Sequence, residues 1–287
     1  MSEDQTMPTL DLENLADLEK KVERDCFLLT YQGKDRIVSS DTLRADLEKE
    51  DRSFVHVFST GIFSLDAAVG KLESGELIAI GGPTKHGKTS LAQTLTANLA
   101  RAGANCLWFT FEVPPRQFLA QMPPEFRFYL PRELTLSKTD WVRERIEEAV
   151  LKFKTRIIFI DNLHHLFDIA VSRNPSLDIG NIIRLLKRTA VEFNVVIFLL
   201  CHSRKPTEFK GEVQECSEWD LRDSSFVPQE SDSTWMIQRK MDPSTKIYSQ
   251  EALLKVCNHR RTGAMGVKVH LIKTGPFLEE DVAHYSN

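Results

Sequence analysis

The chain has 287 residues and a mass of 32.8 kDa, which is enough for one large α/β domain or two small ones. Hydrophobic residues make up 41% and charged residues 27%, an ordinary balance that excludes a disordered chain and a fibrous repeat. No apolar run approaches the roughly 20 residues that a membrane span needs, so we predict no contact with a membrane.

The N-terminal sequence and the cysteines indicate a reducing compartment. The first residues are acidic and contain neither the basic nor the apolar region of a secretory signal, which favours a cytoplasmic location. The cysteines show no CxxC spacing, which argues against a zinc site and a disulfide framework, so we interpret them as reduced thiols. They are Cys26, Cys106, Cys201, Cys216 and Cys257.

Charge divides the chain unevenly. Residues 1–57 carry 8 basic and 14 acidic side chains, a net charge of -6, whereas residues 58–287 carry 29 and 27, a net charge of +2. The acidic segment predicts a separate helical arm, followed by a second short helix near residues 40–49. The arm carries an apolar stripe that consists of Leu10, Leu12, Leu15, Leu18 and Val22. This stripe needs a partner, which is either the main domain, a neighbouring subunit or another protein.

From residue 57 onward, short apolar runs alternate with helical patterns, which is typical of a parallel sheet covered by helices. We predict an arm at 1–57, a main domain at 58–279 and a tail at 280–287. The predicted strands are 77–80, 106–111, 157–161, 195–201, 233–237, 252–256 and 267–272, and the predicted helices are 88–101, 115–122, 139–153 and 177–193.

A glycine-rich segment joins the first of these strands to the first helix and fits the pattern G-x-x-x-x-G-K-[ST]. Its backbone N–H groups and the helix dipole favour a polyphosphate. Lys88 would reach the β- and γ-phosphates of ATP or another NTP, and Thr89 would hold Mg²⁺. Lys85 is more readily explained as a solvated side chain than as a phosphate contact. The predicted nucleotide-binding residues are Gly82, Pro83, Thr84, Lys85, His86, Gly87, Lys88, Thr89 and Ser90.

Two carboxylates follow apolar strands. Asp161 ends the run at 157–161, and ligands bind at the carboxyl ends of strands in open α/β sheets, so we expect Asp161 to hold the metal beside Thr89. Glu112 follows the strand at 106–111. If the two strands are neighbours, Glu112 faces the γ-phosphate and activates the attacking water.

Taken in order, several motifs resemble the ATPase domain of DnaB-type hexameric replicative helicases and their phage and mitochondrial primase-helicase relatives. The likeness covers about residues 58–279. Its motifs are residues 60–66, 75–78, 109–112, 157–163, 182–188, 194–205, 220–224, 229–232 and 258–266.

The resemblance implies a RecA-like P-loop NTPase, with a twisted, mostly parallel sheet flanked by helices. It also implies a homo-oligomer, a hexameric ring with active sites between subunits, that acts on single-stranded DNA. His202 would contact the γ-phosphate as a sensor, and Arg260 of a neighbouring subunit would neutralise transition-state charge, with Arg261 as the alternative.

The chain departs from the family pattern at three places. Asn258 stands where relatives usually have lysine, and Lys255 or Arg261 could substitute. The sensor position, commonly glutamine, is His202, which can still donate to a phosphate oxygen. A short acidic arm takes the place of the primase or primase-binding domain, which favours a short phage-type or accessory helicase, prokaryotic or phage-encoded.

Nucleic-acid contacts are expected in the loops after Asp161 and His202, which face the central channel in the implied fold. Solvated loop charges are the competing interpretation. The candidate residues are Arg173, Arg204, Lys205 and Lys210.

The sequence therefore predicts an ATP-hydrolysing, ring-forming helicase or translocase. A nucleotide-switched assembly or loading factor with the arm as its docking element is the alternative, and a small-molecule kinase is disfavoured because no lid or acceptor pocket is evident.

Overall fold

The computed structural model describes residues 12–33, 35–49, 55–135, 139–166, 174–204, 208–209, 212–213, 215–221, 225–241, 245 and 247–282. Contacts divide the chain into two units, Met1–Arg52 and Ser53–Asn287. The predicted boundary at residue 57 lies close to this division. Among the described residues, no helix is both long enough and apolar enough to cross a membrane.

The first unit contains two helices, α1 (Leu12–Thr30) and α2 (Ser40–Lys49). Both agree with the predicted arm and short helix. On α1, Leu18 and Val22 are 58% and 59% exposed, and Leu29 is 84% exposed. Leu10 of the predicted stripe lies outside the described residues.

The second unit alternates strands and helices, as its sequence predicts. Its strands are β1 (Val57–Phe58), β2 (Leu72–Glu73), β3 (Leu77–Gly82), β4 (Cys106–Thr110), β5 (Ile157–Asp161), β6 (Val196–His202), β7 (Glu208–Phe209), β8 (Glu212–Val213), β9 (Ser233–Met241), β10 (Tyr248–His259), β11 (Met265–Thr274) and β12 (Phe277–Glu280). Its helices are α3 (Phe63–Val69), α4 (Lys88–Arg101), α5 (Pro115–Gln121), α6 (Thr139–Phe153), α7 (Pro175–Glu192) and α8 (Phe226–Glu230), with 3₁₀ turns at Leu163–Leu166 and Glu218–Asp220.

Within the described residues, eight strands form one sheet in the order β12-β11-β10-β9-β3-β6-β5-β4. The five strands from β9 to β4 run parallel, whereas β10, β11 and β12 add antiparallel hairpins at one edge. This sheet, with helices against it, confirms the predicted fold class. Four features were not predicted from the sequence: α3, α8, β12 and the short strand pairs.

The core lies on both faces of the sheet because successive residues of a strand point to opposite sides. In β3, Ile78 and Ile80 pack into one buried cluster, whereas Leu77 and Ala79 pack into the other. All residues of β3, β4 and β5 are buried. Such strands, covered on both faces, read as continuous apolar runs, which is why the sequence located them.

Asp232 fixes the start of the phosphate-loop strand. Its Oδ2 accepts hydrogen bonds from the backbone N–H of Leu77 at 2.8 Å and from Lys187 Nζ at 2.6 Å. Lys187 also donates to the carbonyl of Gly75 at 2.8 Å. Asp232, which lies in one of the motifs that carry the resemblance, therefore connects β3, α7 and β9.

Candidate functional site: the phosphate loop and its carboxylates

The phosphate-binding loop turns sharply between β3 and α4, and glycine is required at two of its positions. Gly82 has φ 153°, and a Cβ there would lie 2.4 Å from the carbonyl oxygen of Ile237. Gly87 has φ 103°, in the region that favours glycine, and directly precedes α4. These two residues let the loop run close to β9 and leave the first N–H groups of α4 directed at the loop.

Lys88 lies inside this loop. Its side chain is buried, and Nζ donates hydrogen bonds to the carbonyls of Gly82 at 2.8 Å and Pro83 at 3.0 Å. Burial lowers the pKa of Lys88, while the charges of Asp161 and Glu112 oppose this effect. The loop thus holds a cation where the phosphates of a nucleotide would enter.

His86 anchors the loop to the antiparallel part of the sheet. Its Nδ1 accepts a hydrogen bond from the backbone N–H of Arg239 at 3.0 Å, and its ring lies edge-on to Tyr248 with centroids 4.9 Å apart. Burial and the nearby charges of Lys88 and Arg239 lower the pKa of His86 to about 4. The imidazole is therefore neutral at pH 7, as acceptance at Nδ1 requires.

Thr89 and Asp161 meet beside Lys88. Thr89 Oγ1 donates to Asp161 Oδ2 at 2.9 Å. Asp161 is 3% exposed, and its second oxygen, Oδ1, is buried and has no hydrogen-bond partner among the described residues. A carboxylate and a hydroxyl are ligands that Mg²⁺ prefers, and an unsatisfied buried oxygen is the group that a cation or its water would satisfy. The residues present fit a magnesium ion.

Asp161 gives the nucleotide-free protein a pH-dependent stability. Burial, and then the charge of Glu112, raise the pKa of Asp161 to about 6. Because this pKa exceeds the unfolded value of about 3.9, ionisation of Asp161 costs stability as the pH rises from about 4 to 6.

We therefore expect Asp161→Asn to stabilise the nucleotide-free protein by about 2 kcal/mol at about pH 8, raising Tm by about 5 °C. The difference from wild type should narrow at about pH 5, where most of the native Asp161 is protonated. Thermal unfolding at both pH values measures it. A variant that is no more stable than wild type at pH 8 would contradict the raised pKa of the buried Asp161 carboxyl.

Glu112 and His202 lie at the ends of the strands that flank β5. β5 pairs in parallel with β4 on one side and with β6 on the other, as the interpretation of Glu112 required. Glu112 Oε2 lies 3.6 Å from His202 Nε2, and the backbone N–H of Glu112 donates to the Asp161 carbonyl at 3.2 Å. The predicted base, metal ligand and sensor are therefore brought to one edge of the sheet.

Asn162, which the sequence analysis did not assign to the site, lies between them. Its Nδ2 is 2.9 Å from both Glu112 Oε2 and His202 Nε2. The signal available in the sequence was its position directly after Asp161, at the carboxyl end of a buried strand.

Lys88, Thr89, Glu112 and His202 line a cleft of about 400 Å³, and Asp161 adjoins its wall through the hydrogen bond with Thr89. Ser90 and Lys85 also line it, as do three residues absent from the sequence prediction, Arg239, Tyr248 and Lys273. A larger groove, of about 610 Å³, lies between the edge strand β4 and α6 and contains none of the predicted residues. The grouping of the phosphate loop with two carboxylates assigns the site to the smaller cleft.

The structure distinguishes the two candidate finger arginines. Arg261 Nε donates to Glu76 Oε1 at 2.8 Å, and its guanidinium also pairs with Glu73 Oε1 at 3.1 Å. Arg260 is exposed and donates to the backbone carbonyl of Gln229. Since Arg261 is committed within its own chain, Arg260 remains the better candidate to reach another subunit, and Arg261 is a poor substitute for the lysine replaced by Asn258.

We expect Arg261→Ala to destabilise the protein by about 2 kcal/mol, because it leaves the buried carboxylate of Glu76 without its cation. This value is discounted from that of a fully buried pair because the Arg261 side chain is 32% exposed. Arg260→Ala should change stability by less than about 0.5 kcal/mol. Urea unfolding of the two variants tests the difference, and equal losses would contradict the assignment.

Of the four residues predicted to contact nucleic acid, the structure describes one. Arg173, Lys205 and Lys210 are outside the described residues. Arg204 is exposed at the end of β6, and its backbone N–H donates to the carbonyl of Asp220 at 2.8 Å. The contribution of these residues to binding therefore stays a prediction.

Comparisons with known proteins identify similar sequences. A family model described as an AAA domain matches residues 66–208. The replicative DNA helicase DnaB of Haemophilus influenzae is 24% identical over 268 residues, covering 81% of this chain and 56% of the relative. A probable plasmid replicative DNA helicase of Chlamydia trachomatis is 27% identical over 234 residues, covering 70% of this chain and 51% of the relative.

The fold matches as well. The solved structure of a DnaB-like replicative helicase superposes with a TM-score of 0.66 at 16% identity, covering 93% of this chain and 73% of that chain. The chain spans about half the length of the curated relatives that it matches. Together, the ordered motifs, the sheet and the matched relatives confirm the resemblance: in sequence and in fold, this chain is similar to the DnaB-type replicative helicases.

Proposed function

We propose that the protein binds and hydrolyses ATP, or another NTP, with Mg²⁺ and uses the energy to move along or separate single-stranded DNA. The observation that carries the proposal is a cleft lined by the phosphate loop, Glu112 and His202, with Asp161 bonded to Thr89 at its wall. It lies at the carboxyl edge of four adjacent parallel strands. Ligands bind at this edge in open α/β sheets. Each residue type needed for phosphoryl transfer to water is present.

The residues would divide the work. Lys88 leaves the carbonyls of Gly82 and Pro83 and pairs with the β- and γ-phosphates. Thr89 and Asp161 hold Mg²⁺, which would neutralise phosphate charge when bound. The carboxylate of Glu112 orients the attacking water and accepts its proton.

His202 and a neighbouring subunit's Arg260 complete the proposed site. His202 lines the cleft at the end of β6, where it is the register partner of Gly82, and would donate to a γ-phosphate oxygen. Arg260 is exposed on the turn after β10, which supports a role in trans in a homo-oligomeric, hexameric ring. Its charge would stabilise the transition state only where two subunits meet.

DNA as the partner is supported by the matched relatives, which are named DNA helicases. The domain from residue 58 onward is nearly neutral, with 29 basic and 27 acidic side chains, so binding depends on a few positive charges repeated around a ring. The exposed apolar residues of α1, Leu18, Val22 and Leu29, support the arm as the docking element for a protein partner.

The test is ATP hydrolysis by the purified chain with and without single-stranded DNA, at low and high salt. We expect several-fold stimulation by DNA that weakens as salt rises, because phosphate contacts release counterions. A rate of ATP hydrolysis that is the same with and without DNA at both salt concentrations would contradict the proposed motor function. It would favour the nucleotide-switched assembly or loading factor instead.

A further inference from the structure

Asn162 is a buried amide whose polar atoms all have partners. It is 1% exposed and directly follows Asp161 at the end of β5. Its Oδ1 accepts from the backbone N–H of His164 at 3.0 Å, and its Nδ2 lies 2.9 Å from both Glu112 Oε2 and His202 Nε2. One amide group thus connects the residues at the tips of the two neighbouring strands.

The contact with His164 decides which way the amide faces. A backbone N–H can only donate, so the atom that meets His164 is the oxygen and the atom that meets Glu112 and His202 is the NH₂ group. An amide nitrogen donates and does not accept. His202 must therefore accept at Nε2 and carry its proton on Nδ1, which is buried.

This arrangement excludes a second use of the same ring nitrogen. The oxygens of a γ-phosphate are acceptors, so His202 can bind one through Nε2 only when Nε2 carries a proton. An Nε2 that donates to phosphate cannot accept from Asn162. Binding of the γ-phosphate at His202 and the Asn162–His202 hydrogen bond are mutually exclusive.

We propose that Asn162 is a positioning residue: binding of the γ-phosphate at His202 changes how Asn162 holds the Glu112 carboxylate. This inference rests on the proposed ATPase function. Without γ-phosphate, the amide is shared between sensor and base. When the γ-phosphate arrives, His202 leaves the amide and takes up a proton from solvent at Nε2, which then donates to the phosphate. Asn162 holds Glu112 Oε2 alone while Oε1 faces the water. ADP, which has no γ-phosphate, leaves the shared state intact.

Asn162→Ala tests the coupling because it should change binding and turnover in opposite directions. ATP no longer has to displace a hydrogen bond, so affinity for a non-hydrolysable ATP analogue relative to ADP should rise by about threefold to tenfold. The carboxylate of Glu112 loses its support, so kcat for ATP should fall by about tenfold. The measurements are equilibrium titrations with both nucleotides and steady-state hydrolysis.

Two comparisons make the test specific. In a His202→Ala background, adding Asn162→Ala should leave the ratio of analogue to ADP affinity unchanged, because the bond that ATP displaces is already absent. Asn98→Ala is the matched control. It also removes a partly buried hydrogen bond of a side-chain amide, from Asn98 Nδ2 to the Thr60 carbonyl at 3.0 Å, and Asn98 lies outside the site. It should change neither quantity.

A merely structural role would give a different result. The coupling is wrong if Asn162→Ala weakens the binding of the ATP analogue and of ADP equally. It is also wrong if Asn162→Ala shifts the ratio of the two affinities by the same factor in the wild-type and His202→Ala backgrounds. Should the alanine variant fail to fold, Asn162→Ser, too short to bridge Glu112 and His202, carries the same expectations. Wild-type protein that neither binds the analogue nor hydrolyses ATP would overturn the proposed function itself, whereas an active wild type without the opposing shifts overturns only the coupling.

Discussion

Replacing Lys88 with alanine is expected to lower kcat for ATP hydrolysis by at least about 10²–10³-fold and to weaken nucleotide binding. The reason is the position of Nζ, which lies within 3.0 Å of two carbonyls of the phosphate loop and carries its charge in a buried site. Water screens a charge in such a site only weakly, so removing the charge removes a large interaction with the phosphates. Steady-state hydrolysis and nucleotide titration measure the two effects.

The matched control is Lys85→Asn. Lys85 belongs to the same loop and has φ 69°, a conformation that asparagine tolerates, so this change removes a loop charge without backbone strain. We expect its hydrolysis to stay within a few-fold of wild type. If Lys88→Ala and Lys85→Asn lose the same share of ATP hydrolysis, the charge of Lys88 contributes no more than another loop charge. That result would contradict the phosphate-loop assignment.

Glu112→Gln should lower kcat by about 10²–10⁴-fold while nucleotide affinity stays close to wild type. Glutamine has the same shape and can still accept from Asn162 Nδ2, which lies 2.9 Å from Glu112 Oε2. It cannot take a proton from water, so the change removes the chemistry and keeps the geometry. Parallel measurement of hydrolysis and of ATP-analogue binding separates the two.

Glu125→Gln provides the control for this change, because Glu125 is an exposed glutamate that lies outside the cleft. It should leave both kcat and affinity unchanged. A Glu112→Gln protein that hydrolyses ATP at the wild-type rate would show that another group activates the water, and the assignment of Glu112 as the base would be withdrawn.

The parallel part of the site could be predicted from the sequence because its signals are local. Each buried strand reads as an apolar run, and the residue that ends the run must lie at the ligand-binding edge. Asp161 and Glu112 were found in this way, whereas His202 was predicted from the family resemblance. Their adjacency could then be inferred once β4, β5 and β6 were taken as neighbours.

The rest of the cleft depends on long-range register, which the sequence does not show. Arg239 and Tyr248 reach the phosphate loop because β9 and β10 pair antiparallel with register shifts between Tyr248 and Ala252. The strand β12 was missed because its four residues, FLEE, include two glutamates and carry no apolar run. It forms through the turn at Gly275, which has φ 61° and so favours glycine.

Asn162 shows a different limit. An asparagine after a strand is ordinarily explained as a turn residue. Its role as a bridge appears only when Glu112 and His202, 50 residues before it and 40 after it, are placed on either side. Geometry between strands, and not the motif, identifies it.

Mixing two inactive variants tests whether active sites are shared between subunits. Lys88→Ala lacks a working phosphate loop but keeps Arg260, whereas Arg260→Ala keeps the loop and lacks the finger. With single-stranded DNA present, we expect each variant alone to be nearly inactive and the mixture to recover ATP hydrolysis, because one subunit supplies Arg260 to the loop of the other. A mixture no more active than its components, or an Arg260→Ala protein as active as wild type, would contradict the shared site.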